Sequence, residues 1–405
     1  MQAKLLLTGF FLTTSLSLAA QNSSVPTAAL VNRLVTTVAH VKAGETVILK
    51  GDKSQLDLMD ALGEQIHQKG AYPVIMLQSE RLAKAAMLSV PEADLLAHHK
   101  AIHKLDNKAD LTIYFSSNID YNAINQQVPE AYGEKRRQAM QAFHNGVPEN
   151  MATFREVYVM LPNQKDAASE GIAYATYEKM ILAAMAADYE VMAAKGKQLG
   201  ALLLTGKQVK VTNPNGTNFS FALAGRPFSI NDGVISEADL KSSLEIDRQV
   251  SLPTGMLFVS GDESSGKGKI VAVRDRQYGN QGQVKLTNAA YTFENGKVAQ
   301  ATATTNQAFL DKKLKVAEPM ATQFGGLMIG LNPALKVLSD TQQDFRPYEA
   351  EGMVYIQLGG NDWMGGANKV KDGFALPIEN ATVTVDGKII LKDGKLVLNS
   401  VASVK

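Results

Sequence analysis

At 405 residues the chain is longer than one hydrophobic core usually serves, so two domains are expected. Apolar residues make up 45% of it, and 41 Lys and Arg face 40 Asp and Glu; that is an ordinary globular composition with no net field to steer nucleic acid. There is no cysteine, which excludes disulfides, thiolate zinc sites, a cysteine nucleophile and a lipid anchor on the first mature residue.

The chain opens on Met-Gln-Ala-Lys, an apolar run LLLTGFFLTTSLSLA and then polar QNSS. One positive charge, an apolar stretch too short to span a bilayer stably, and small residues at Ser17 and Ala19 predict a signal peptide over 1–20. Cleavage would leave Ala20 or Gln21 first. The competing reading, a buried N-terminal helix, is disfavoured because no helical stripe continues past QNSS. No later run approaches spanning length. A periplasmic or secreted protein is expected, with no membrane or nucleic-acid partner.

From about Val25 to Leu204 helix and strand patterns alternate. TVILKG (46–51), YPVIML (72–77), LTIYFSS (111–117) and REVYVMLP (155–162) are short apolar runs of the kind found in strands covered on both faces. Helical patterns lie between them, such as LDLMDALGEQIHQKG, closed by Gly70. These features predict an α/β domain over 21–205 around a mostly parallel sheet. Asp166 to Gly200, rich in Ala, Met and Leu, reads as one long helix or two.

After Gly206 the texture changes to short strands with two-residue turn signals at Asn215-Gly216, Asn295-Gly296, Asp386-Gly387 and Asp393-Gly394. An α+β domain with an antiparallel sheet is expected over 206–405, with helix mainly around 305–340. Neither a repeat nor a low-complexity linker separates the halves, so the two should pack closely.

Four stretches invite a chemical reading. Gly261–Gly268, GDESSGKG, misses the phosphate-binding loop pattern because Gly268 stands where Ser or Thr would hold magnesium. A strand rather than a helix follows it, and Asp262 and Glu263 would repel phosphate, so it reads as a hairpin loop. His98, His99 and His103 lie in LLAHHKAIHK; on a helix, His99 and His103 have a spacing that suits zinc. No third ligand is evident beside them and lysines surround them, which favours a solvated face. All six histidines end at His144, so the second half offers no imidazole. QLGGNDWMGGAN (357–368) holds Asn361 and the only tryptophan, Trp363. It reads either as a binding loop with a stacking surface or as a tight turn that tucks Trp363 inside.

In SLPTGMLFVSG (251–261) a Pro-Thr-Gly turn feeds an apolar strand and presents Met256, a thioether that cannot act as acid or base. This segment follows VKVTNPNGTNFSFALAGRPFSINDG (209–233) and precedes FGGLMIGLNP (324–333), GMVYIQLGGN (352–361) and TVDGKIILKDG (384–394). In that order the segments resemble the aminopeptidase T family of metallopeptidases. VKAGETVILKGD (41–52) and KGAYPVIML extend the resemblance more loosely into the first half. It implies a two-domain, homodimeric enzyme whose catalytic domain holds two divalent metals on two glutamates, two histidines and an aspartate. Such a pair polarises the peptide carbonyl and activates water for hydrolysis at a free N-terminus.

The resemblance also implies where those ligands should stand. The two glutamate positions fall on Met256 and Gly326, the first histidine on Tyr355, and the closing histidine and aspartate on Gly373 and Ala375. Were the last pair to slip by a few residues, Asp372 is the nearest acid. Hard divalent ions need oxygen or nitrogen donors, and Met, Gly and Ala supply none. The expectation is an aminopeptidase-like protein without its metals or any other cofactor, in which Met256, Tyr355, Asn361 and Trp363 line a pocket for a peptide or small molecule. A second reading keeps hydrolase activity, with divalent metal held by Asp262, Glu263, Asp275, Asp362 or Asp372 and a first-domain histidine; such ligands suit manganese, magnesium or calcium. A third makes the chain a dimerising structural partner.

Overall fold

The computed structural model describes residues 27–106, 108–145, 155–279, 282–318, 320–340, 342–370 and 373–398. The expected signal peptide and Asp372 lie outside them.

The apolar runs of the first half form β1 (Thr46–Asp52), β2 (Tyr72–Gln78), β3 (Leu111–Phe115) and β4 (Arg155–Val159), all paired in parallel. Helix Leu56–Gln68 returns the chain from β1 to β2. A short 3-10 turn, Lys53–Gln55, leads into it and is capped by Asp52, whose carboxylate accepts the Ser54 N–H at 2.7 Å. One face of the sheet carries Val47, Leu49, Leu111, Ile113, Val157 and Val159, all buried. The other carries a polar ladder in which Tyr114 stacks on Tyr158 with ring centroids 4.9 Å apart. The expectation of strands covered on both faces fails at β2. It is the sheet edge, paired on one side only, by β1, and Tyr72 and Leu77 are 63% and 52% exposed there.

The stretch after β4 is not one helix or two but three: Gln164–Ser169, Tyr174–Met185 and Tyr189–Thr205. The first break falls at Gly171, whose φ of +71° suits glycine. The second falls before Asp188, which caps the next helix by accepting the Val191 N–H at 3.1 Å.

The second half builds an antiparallel sheet from β5 (Gln208–Thr212), β6 (Asn218–Asn231), β8 (Met256–Gly261), β9 (Lys267–Gly279), β10 (Gly282–Glu294), β11 (Lys297–Thr302) and β12 (Phe324–Gly330). It continues through β15 (Val354–Gly359), β16 (Gly373–Ile378), β17 (Thr382–Val385), β18 (Lys388–Lys392) and β19 (Lys395–Leu396). A two-residue ribbon, β13 (Leu338–Ser339) with β14 (Asp344–Phe345), stands apart. The strand between β6 and β8, β7 (Gln249–Leu252), does not join this sheet; it pairs in parallel with β4 and completes the first one. The Asn-Gly and Asp-Gly turn signals hold: Asn295, Asp386 and Asp393 sit at φ of 48–49°, each before a glycine also at positive φ, the two left-handed positions of a tight hairpin.

Two expectations are corrected here. Helix in the 305–340 region is confined to Gln307–Val316. Residues 324–330 form β12, buried at every position and hydrogen-bonded on both sides by β8 and β15. The Gly261–Gly268 segment is not a hairpin loop, since β8 and β9 do not pair with each other. Both lie against β6, β9 along Asn218–Ser220 and β8 along Leu223 and Phe228–Asn231. A bulge in β6 between Leu223 and Phe228 lets the strand bend from one partner to the other.

One continuous hydrophobic cluster runs from Val31 to Leu391, so the two sheets share a core. Helix Tyr189–Thr205 lies directly on β6: a Cβ at Gly200 would meet the Phe228 ring at 2.4 Å. Among the described residues no helix is long and apolar enough to cross a membrane.

Candidate ligand cleft

Residues directly opposite each other in an antiparallel pair point to the same side. Met328 stands opposite Phe258 and Tyr355, Gln357 opposite Gly326 and Ala375, and Gly330 opposite Met256. Strands β8, β12, β15 and β16 therefore turn one face, carrying Met256, Met328, Tyr355, Gln357 and Ala375, toward a common space. Arg276 and Gln277 at the end of β9, and Lys313 on helix Gln307–Val316, close it from the other side. The result is a cavity of about 490 Å³. A smaller one of about 160 Å³ shares Arg276, Tyr348 and Ala375 with it and is also lined by Asp275, Asp344 and Arg346.

Four of the five positions that the resemblance assigns to metal ligands fall on these cavities. Met256, Gly373 and Ala375 line the larger and Tyr355 the smaller. The fifth, Gly326, is filled over. A Cβ there would lie 2.6 Å from Met364 Cε and 2.5 Å from the Val259 carbonyl oxygen. At Gly373 a Cβ would meet the Leu358 oxygen at 2.2 Å. Tyr355 alone of the five carries a side-chain oxygen. Its hydroxyl donates to the Arg346 carbonyl at 2.7 Å, and its ring packs on Tyr348 at 4.2 Å between centroids. Burial, then the neighbouring Tyr348, pushes this phenol well above its ordinary pKa.

Asn361 and Trp363 line neither cavity. Asn361 is fully buried; its Nδ2 donates to Glu263 Oε1 at 2.9 Å and to the Gly325 oxygen at 2.8 Å, while its Oδ1 accepts the Asn368 N–H at 2.8 Å. Trp363 donates from Nε1 to the Gly360 oxygen at 3.0 Å and sets its ring edge-on to Phe258 at 5.5 Å.

The acids offered for an altered metal site are dispersed. Glu263 is clamped by Arg226 at 2.5 and 3.0 Å and accepts the Ala367 N–H at 2.7 Å. Burial works against its charge, but the Arg226 pair and the N–H donors outweigh that and hold its pKa down at about 2. Asp262 accepts the Ser264 N–H at 2.9 Å in a local turn. Asp275 is buried beneath Tyr291, whose hydroxyl donates to it at 2.7 Å. Asp362 opens the short turn Asp362–Met364. His98 and His99 sit on helix Leu95–Asp106 with rings 6.4 Å apart, and His99 stacks on Phe143 at 6.5 Å; the His103 side chain lies outside the described residues. Among the described residues no three His, Asp or Glu gather where a metal ion could be held.

Reading the sequence missed Arg276. Its guanidinium donates to both Glu170 oxygens at 2.7 and 2.6 Å and, through Nε, to Asp344 at 2.9 Å. Burial disfavours its charge, yet the Glu170 and Asp344 contacts prevail and raise its pKa. The only signal in the sequence was the charged step RDR (274–276) inside a strand pattern, which suits a side chain turned to a polar wall.

The sequence model of the thermophilic metalloproteases (M29) matches residues 27–327, and the chain belongs to that family. Its fold is similar to wild-type AmpT from Thermus thermophilus, with a TM-score of 0.66 at 13% identity, covering 92% of this chain and 99% of that one. It is also similar to 2,5-dihydroxypyridine dioxygenase from Pseudomonas putida KT2440, with a TM-score of 0.57 at 16% identity, covering 92% and 98%. At such identities the likeness is one of fold, and a fold can carry unrelated chemistries. No curated protein matches the sequence significantly.

Proposed function

We propose that this chain is an exported member of the M29 family that has given up the paired-metal centre and keeps the cleft as a binding site for a peptide or small molecule. The observation that carries the reading is the pair Gly326 and Met364. Beyond the loss of a ligand at Gly326, the space is occupied by Met364 Cε and walled by the Val259 oxygen, so a carboxylate could not return without moving backbone. Met256 and Ala375 add carbon and sulfur where hard ions need oxygen or nitrogen. The cavity itself persists, and its volume falls within the range of about 300–1,000 Å³ usual for small-molecule sites. Export follows the N-terminal segment, and recovery of a chain starting at Ala20 or Gln21 from the periplasm or medium would support it.

The test is the metal content of the untagged mature protein after equilibration with zinc, manganese and cobalt, read by elemental mass spectrometry. Metal well below one ion per chain is expected. A stoichiometric ion, together with chelator-sensitive release of N-terminal residues from short peptides, would overturn the reading in favour of an active hydrolase with altered ligands.

A further inference from the structure

We propose that the free edge of the parallel sheet is a docking surface for a second copy of this chain, which pairs with it in antiparallel fashion about a two-fold axis at Ile75. The surface belongs to the first sheet, so the inference stands apart from the cleft and from what the cleft binds.

β2 ends the strand order β2-β1-β3-β4-β7 and is bonded by β1 alone. Its sequence, YPVIMLQ, carries no charge and is apolar on both faces. Tyr72, Val74, Ile75 and Leu77 are 63%, 44%, 36% and 52% exposed, and Leu82 on the helix that follows, Glu80–Leu88, is 63% exposed. Nowhere else among the described residues do large hydrophobic side chains lie exposed in such a run. Soluble proteins blunt an edge of this kind with charge, a bulge or a covering element. Here the register with β1 runs without a bulge from Tyr72 to Gln78.

The five side chains leave on the order of 400–500 Å² of apolar surface in water, the size of patch that marks an interaction site. Two such patches face to face bring about 800–1,000 Å², and the paired main chain carries the total to the roughly 1,200 Å² at which stable interfaces begin.

The backbone selects the partner. The Tyr72 N–H donates to the Glu45 carbonyl at 2.7 Å, so by strand alternation Tyr72, Val74, Met76 and Gln78 bond toward β1. Pro73, Ile75 and Leu77 turn their main-chain groups to the free side. Pro73 has no N–H and stands where β1 asks for none. Ile75 is the midpoint of β2, and a two-fold axis there overlaps the whole strand, Tyr72–Gln78, with its copy. The Ile75 N–H and C=O then exchange two bonds with their equivalents, and the Leu77 N–H meets the carbonyl of Pro73 in the copy. The side chains brought opposite are Ile75 with Ile75, Leu77 with Pro73 and Val74 with Met76, apolar against apolar on both faces. Charge agrees with this pairing. Exposed Lys69 precedes the strand and exposed Glu80 follows it, so each copy's Lys69 comes beside the other's Glu80. The result is one continuous sheet through both copies.

Sedimentation velocity on the untagged mature protein is expected to show a dimer at micromolar concentration. Ile75→Lys and Leu77→Lys should each weaken it at least about tenfold, with the circular dichroism spectrum unchanged. Because the chain has no cysteine, Ile75→Cys supplies a single thiol at the axis. Mild oxidation should join two copies of that variant, while Lys388→Cys, exposed on β18, should stay unjoined. The near-isosteric Ile75→Cys keeps the test open should a lysine variant fail to fold. A chain that stays monomeric up to about 100 μM would overturn the inference, as would a dimer that the lysine variants leave intact and Ile75→Cys fails to join. A monomer whose Ile75→Cys thiol joins a different protein would overturn it too, and would give the edge to an unlike partner. None of these outcomes alters the reading of the cleft.

Discussion

Met364 Cε lies 2.6 Å from the point where a side chain at Gly326 would begin. The contact joins the loop after β15 to β12, at the position to which the sequence resemblance assigns the family's second glutamate. Ser260, also on this face, donates from its hydroxyl to the Met364 carbonyl at 3.2 Å, so the methionine is held at both its backbone and its tip. The first consequence concerns stability. Gly326→Ala should destabilise by about 1–3 kcal/mol, the usual cost of overpacking a filled interior, measured by urea unfolding. Met364→Ala should recover only part of the loss, because the Val259 oxygen remains 2.5 Å from the new Cβ. Full recovery would mean that the backbone yields and that the site is less closed than the geometry indicates.

Glu263 gives the protein an acid-sensitive joint. Its pKa in the folded chain, about 2, lies below the ordinary glutamate value of 4.5, so the ionised form is favoured by folding. The stabilisation is therefore present above pH 4.5 and is lost as pH falls from there toward 2. Its size is on the order of 3 kcal/mol. Unfolding free energies of the wild type should decline through that window beyond the decline seen in Glu263→Gln. The variant should be less stable at neutral pH, since Arg226 loses its partner. Parallel pH profiles for the two proteins would remove Glu263 as the cause.

The bidentate contact from Arg276 to Glu170 ties a wall of the cleft to the end of helix Gln164–Ser169. A double-mutant cycle with Arg276→Met and Glu170→Gln should return a coupling of about 1–3 kcal/mol, because both groups are mostly buried and the geometry is planar and paired. Coupling near zero would place the pair among exposed ion pairs that contribute little.

Metal removal should leave the fold untouched. Anything that binds the native state alone raises its apparent stability, so a resident metal would reveal itself as a lower unfolding midpoint after dialysis against a chelator. The expected result is an unchanged midpoint in differential scanning calorimetry. A fall reversed by added manganese or zinc would return the metal site.

Much of the fold was legible because its signals are local. The runs TVILKG, YPVIML, LTIYFSS and REVYVMLP became the four strands at the positions read, and three Asn-Gly or Asp-Gly pairs carry the backbone angles their composition demands. The family signature was legible for the same reason, as ordered short segments. What escaped was set by tertiary context. FGGLMIG could not be told from a buried helix by apolarity alone, and only its pairing with β8 and β15 decides it. The cavity walls escaped for a stronger reason. Arg276 and Lys313 lie on a strand and a helix outside the segments that carry the family positions, and no periodicity brings them opposite Met256. The bonds of Asn361 and Glu263 to each other span 98 residues, beyond any spacing argument.

The path of β7 has a consequence for taking the molecule apart. Gln249–Leu252 supplies the edge of the parallel sheet beside β4, and four residues later the chain begins β8 with Met256. A fragment ended at Thr205 would lack that strand and expose the flank of β4, with Val157 and Val159 beside it, as an open template for other chains. Such a fragment should aggregate, whereas a single nick in the Asn213–Thr217 turn of the intact chain should leave the two pieces associated. Dissection followed by light scattering would measure how far the molecule behaves as one indivisible body with a crevice in it.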